Sequence, residues 1–135
     1  MFFKKDYKNN DFVKVAALLI HAAKIDENFS KKEEEIIKQA ILKLGADRQN
    51  IENIINTGKI LEENTNQILD FTKEVKIMDE EKKREIIESL WRIIYSNKAA
   101  DVYETSLMRR LAGLLYIDSK IMGDIKERIK KEYST

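Results

Sequence analysis

The chain has no cysteine and no proline in 135 residues, and only four glycines and one histidine. Without cysteine, disulfides, thiolate metal sites and thiol nucleophiles are all excluded. A single imidazole, His21, excludes any centre built on several histidines. The lack of proline and the few glycines remove the usual punctuation of tight hairpins, so nothing favours strands. Neither sign of charge dominates, with 25 basic against 24 acidic residues and a net charge of +1. A net charge this small gives no reason to expect a nucleic-acid surface, which would need a clustered excess of Lys and Arg. Long apolar runs are missing too. The longest, "VAALLI" at 15–20, is far short of a bilayer span, and "MFFKKDYKNN" lacks the apolar core of a signal peptide. A cytoplasmic protein is expected, meeting membrane only through a partner.

What is present is a globular composition, 43% apolar and 36% charged. Residues 1–135 suffice for one domain, with its core over about 10–131. Apolar spacing is helical throughout. Phe12, Val15, Ala16, Leu19, Ala22 and Ala23 share one face of a helix, as do Ile36, Ile37, Ala40, Ile41 and Leu44. Ile86, Ile87, Leu90, Trp91 and Ile94 repeat the pattern, followed by Leu107, Leu111, Leu114 and Leu115. Ser30-x-x-Glu33 and Asn64-x-x-Gln67 have the form of capping boxes, and Asp101-x-x-Glu104 is an acidic relative. Asp47, Asp79 and Asp118 suit N-caps, and Gly45 suits a helix C-terminus. These signals predict an all-α single compact bundle of about seven helices, over 10–25, 30–44, 47–62, 65–76, 79–96, 101–115 and 118–131.

The two halves also repeat. Shifting the chain by 71 residues lays "LIHAAKIDENFSKKEEEIIKQAI", 19–41, over "LWRIIYSNKAADVYETSLMRRLA", 90–112. Asp26 then falls on Asn97, Ser30 on Asp101, Glu33 on Glu104 and Lys38 on Arg109. Each half is a long apolar helix, a short polar loop and a capped second helix.

The twofold pattern Ala-x-x-Asp-(Gly)-x-x-x-x-x-Glu resembles the TerB-like tellurite-resistance family. Its first copy here is Ala23, Asp26 and Glu33. Its second is Ser96-Asn97-Lys98 leading to Glu104 and "SLMRRLAGLL". The resemblance covers roughly residues 10–131 and implies an all-helical domain whose acidic loop positions bind metal ions. It also implies a place in a stress-response or membrane-associated assembly. The sequence departs from the pattern where Glu27 and Lys98 stand in the glycine places and Asn97 replaces the second Asp. A lysine beside a cation site opposes binding by Coulomb repulsion, so the first loop is the stronger half.

Two readings of the acidic stretch "AAKIDENFSKKEEEII", 22–37, follow. In the first, Asp26, Glu33, Asn97 and Glu104 are metal ligands, supplemented by Glu27, Asn28 or Glu34, for calcium or magnesium. The stretch is not an EF-hand. Counted from Asp26, position 6 is Lys31 and position 12 is Ile37, where glycine and a bidentate Glu are required. Magnesium needs only one or two carboxylates. In the second reading Glu33 and Glu104 are helix caps, and the chain is a helical adaptor that docks a protein partner. An exposed apolar patch at Phe2, Phe3 or Phe71 would favour the adaptor. Trp91, Tyr95 and Tyr103 are expected in the core near the second loop. His21 is expected at a helix boundary, and Arg109 or Arg110 in a pair with Glu104 or Asp101. No Glu-x-x-His, phosphate-cradling glycine loop or Gly-x-Ser-x-Gly elbow occurs. No enzyme is expected.

Overall fold

A computed structural model describes residues 9–24, 29–96 and 102–134, with side chains from 11–24, 29–96 and 106–134. The described residues form seven α-helices: α1 Asn9–Ala23, α2 Lys31–Lys43, α3 Ile51–Glu63, α4 Leu69–Lys76, α5 Glu80–Ser96, α6 Val102–Leu114 and α7 Ser119–Glu132. A short 3-10 turn, Arg48–Asn50, leads into α3. None of these helices is long and apolar enough to cross a membrane.

The single apolar face expected for α1 understates it. Val13, Ala17, Leu18 and Ile20 are buried beside Phe12, Val15, Ala16, Leu19, Ala22 and Ala23. A helix apolar on most of its faces belongs inside a bundle, and α1 packs against α2, α3, α4 and α5. Its closest neighbour is α3, where Gly58 lets the two backbones approach. A Cβ at Gly58 would sit 3.0 Å from the Ala16 Cβ. The second axis of the core is α5, which packs on α1, α2 and α7. It buries Ile86, Ile87, Leu90, Trp91, Ile93 and Ile94, and the Trp91 indole N–H donates to the Met122 sulfur at 3.3 Å. Tyr95 is half-buried and stacks on Trp91, with ring centroids 5.9 Å apart.

Three start signals hold and two do not. Ser30 closes a full capping box with Glu33. Asp79 accepts from the Lys82 backbone N–H, and Asp118 from that of Lys120. Asp47 precedes the 3-10 turn, but its side chain makes no capping bond. Asn64 does not open α4. It closes α3, its own N–H bonding back to Ile60 and Leu61 carbonyls. Thr65 likewise turns its hydroxyl back to the Leu61 carbonyl. With Asn64 and Thr65 held by the preceding helix, α4 starts at Leu69, four residues later than the spacing predicts.

The repeat reaches further than its first 23 pairs. Gly45 ends α2 at φ +116 and Tyr116, 71 positions on, ends α6 at φ +58. Around both, the same paired bonds form: Gly45 to Leu42 and Ala46 to Ile41, then Tyr116 to Gly113 and Ile117 to Ala112. This is the Schellman closure, built once on glycine and once on tyrosine. Helices α1, α2 and α3 therefore correspond in register to α5, α6 and α7. Helix α4 lies between the two sets and packs on both α1 and α6.

Candidate functional site

Serine at 30 is extended (φ −85, ψ 164) and stops the chain from running helically out of the first loop. Its hydroxyl accepts from the Glu33 N–H at 3.1 Å, and Glu33 Oε1 accepts the Ser30 N–H at 2.8 Å and the Ser30 hydroxyl at 3.1 Å. Glu33 is fully buried. A buried carboxylate is tolerable only when hydrogen-bonded, and here the bonds to Oε1 come from the helix end that it caps. Beside it, Glu34 takes Lys59 from α3 at 2.8 Å and Lys38 at 3.5 Å. The Lys59 hydrogen bond chiefly holds the Glu34 carboxyl below the ordinary carboxylate range, against partial burial. These two acidic residues thus tie the start of α2 to itself and to α3.

Of the expected ligands, Asp26 and Asn97 lie outside the described residues, as do Glu27 and Asn28. Glu104 stands in α6, but its side chain lies outside the described set, as do those of Asp101 and Tyr103. Among the described residues no group of three or more His, Asp or Glu side chains could hold a metal ion. His21 is a boundary residue at the end of α1, its Nδ1 3.2 Å from Glu62 Oε2. Lys24 reaches the other oxygen of Glu62 at 2.8 Å. Phe71 is buried at 1% exposure and offers no surface patch, because α4 turns it inward with Thr72 and Val75. Phe2 and Phe3 lie outside the described residues.

A groove of about 430 Å³ lies elsewhere, between α2 and α5. Ile36 and Ala40 supply apolar surface, Lys32, Lys43 and Arg92 positive charge, and Glu35 and Glu85 negative charge. Spacing along α2 runs 32, 35, 36, 39, 40, 43, which is one helix face over three turns. One oxygen of Glu85, Oε2, is buried without a hydrogen-bond partner, and its nearest cation is Lys43 at 3.9 Å. Such a group costs about 1–3 kcal/mol until a donor reaches it. The repeat supplies a comparison. Glu85 corresponds to Lys14 of α1, and Lys14 is answered at 2.9 Å by Glu74 of α4. The charged position thus meets a carboxylate from a neighbouring helix on one side of the bundle, and only Lys43 of α2, at 3.9 Å, on the other. Sequence reasoning missed Glu85, since "EEKKREII" resembles any solvated helix start. Only carrying the repeat back to Lys14 would have singled it out.

Comparison with known proteins gives one family. The model described as "Tellurite resistance protein TerB" matches residues 12–127. No curated protein and no solved structure matches the chain.

Proposed function

Because the chain belongs to the TerB family, we propose that it works as a non-catalytic helical module that docks a partner protein in its α2–α5 groove. The observation that carries this reading is the buried, undonated Glu85 Oε2 in the wall of that groove. A partner helix with one or two apolar anchors over Ile36 and Ala40, and a Lys or Arg aimed at Glu85, would complete it. Helix α4 is the internal template, with Phe71 and Val75 buried and Glu74 paired to Lys14. Amphipathic helices recognise grooves through anchors three and four residues apart. The engagement of Glu33 in its cap supports a structural role for the first acidic stretch. The family's description is the ground for placing the partner in a stress response.

The test compares proteins captured from source-cell lysate by the immobilised chain and by two variants. Gln39→Trp adds bulk at an exposed groove position, and Glu85→Lys reverses the charge in the groove wall. A partner held by the parent and lost by both variants, with the Gln39→Trp melting temperature unchanged, supports docking here. A partner retained by both variants refutes it.

A further inference from the structure

A second opening, of about 210 Å³, lies among α5, α6 and α7, lined by Trp91, Met108, Arg109, Ala112, Ser119, Met122, Gly123 and Lys126. All eight have counterparts 71 residues earlier: Ile20, Ile37, Lys38, Ile41, Arg48, Ile51, Glu52 and Ile55. In that first half the space is closed. Ile20, Ile37, Ile41, Ile51 and Ile55 are buried, and a Lys38–Glu52 ion pair at 2.7 Å spans the edge above them. In the second half the cation persists as Arg109, but glycine stands at 123 in place of the carboxylate. A Cβ at Gly123 would meet nothing within 4 Å. Lys126 replaces the apolar Ile55 and lies over the Trp91 ring, 5.4 Å from its centroid. Neither Arg109 nor Lys126 has a carboxylate within ion-pair distance among the described residues.

We infer that this pocket takes a side-chain carboxylate, with a neighbouring apolar side chain, from an acidic segment of a partner protein. The incoming carboxylate fills the place held by Glu52 in the first half and pairs with Arg109. The apolar neighbour occupies the space above Met108, Ala112 and Met122 that the removal of Glu52's counterpart leaves. Charge complementarity selects an acidic occupant, because neither cation at the opening meets a carboxylate among the described residues. Size selects a side chain over a free metabolite, because small-molecule sites run to roughly 300–1,000 Å³. Arg109 can meet a carboxylate with two parallel N–H bonds, which a lysine cannot. This site uses different helix faces from the α2–α5 groove and shares with that reading only the idea of a protein partner.

Trp91 is the chain's one tryptophan, so its fluorescence and its indole N–H resonance report on this pocket alone. The probe is acetyl-Leu-Glu-Leu-amide, with the Gln peptide as its neutral twin. The Glu peptide should change the Trp91 signal saturably. The Gln peptide, and the Glu peptide on Arg109→Gln, should bind about tenfold more weakly or worse, as expected for loss of a charged hydrogen bond. Gly123→Glu should rebuild the internal pair, abolish the response and melt above the parent. Equal responses to the Glu and Gln peptides, an unchanged Arg109→Gln, or no response by about 10 mM peptide would overturn the inference. A response to free 4-methylpentanoate as strong as to the peptide would overturn the assignment to a partner protein. None of the altered residues lines the α2–α5 groove, so failure of that docking reading leaves this result intact.

Discussion

Replacing Gly58 with alanine sets two known quantities against each other. In an exposed helix interior the change should stabilise by about 0.8–1 kcal/mol, the difference in helix propensity. Here the added Cβ would meet Ala16 Cβ at 3.0 Å, and Ala17 N and Val13 O at 3.4 Å each. Carbon atoms in good contact sit at about 3.5–4.0 Å, so α1 must recede by roughly half an ångström. It cannot do so freely, because α2, α4 and α5 also pack against it, and an Ala16 Cβ has no rotamer to change. Overpacking of this kind costs typically about 1–3 kcal/mol. The net expectation is a loss of about 1 kcal/mol, and a melting temperature lower by about 2–8 °C for a domain of this size class. Gly113→Ala is the control, since its Cβ would meet nothing within 4 Å. It should gain roughly 0.5–1 kcal/mol. Urea unfolding of the three proteins, with unchanged m-values, measures both. A Gly58→Ala protein as stable as the parent, or stabilised like Gly113→Ala, would refute the close-packing argument.

Four further substitutions test other contacts of the bundle. Gly45→Ala places a side chain at φ +116 and should cost about 1–2 kcal/mol, whereas Tyr116→Gly relieves a strained residue and should be neutral or stabilising by up to about 1 kcal/mol after losing the exposed Lys76 cation–π contact. Ser30→Ala removes the cap and leaves buried Glu33 short of a donor, so denaturant unfolding should show a loss of about 1–2 kcal/mol. Glu34→Gln should destabilise at neutral pH. The folded Glu34 carboxyl titrates below its ordinary value, so its contribution is present above the unfolded pKa and disappears as pH falls through the folded one. The parent and Glu34→Gln stabilities should therefore converge in acid, below the ordinary carboxylate range; a difference that persists there contradicts the Lys59 and Lys38 pairing.

Helix number and placement were legible because each apolar stripe carries its own stop and start. Ser30, Asp79, Asp118 and Gly45 act locally, through bonds to residues two or three positions away, and such signals survive without tertiary context. Asn64 failed because the same residue types close helices as readily as they open them, and the competing bonds to Ile60 and Leu61 decided the matter. The burial of α1 on more than one face was visible only as the run "VAALLI". That run shows apolarity on every face but not which helices cover it. The fate of Glu33 was legible from Ser30 alone. The unsatisfied oxygen of Glu85 was not, since it depends on α2 lying over α5 from forty residues away. For Arg109 the sequence suggests only a pair with Glu104 or Asp101. The missing counterpart of Glu52 became apparent only when the helices had been brought together.

We read Glu33 as serving the helix junction and place the binding surface on the helices instead. Calorimetric titration of the whole chain with calcium and magnesium, beside an Asp26→Asn, Glu33→Gln double variant, tests it most directly. The claim predicts no saturable heat lost on substitution, and no cation-dependent rise in melting temperature. Binding at or below about 1 mM, the weak end for calcium modules, that disappears in the double variant would contradict it and make the acidic stretch a cation site.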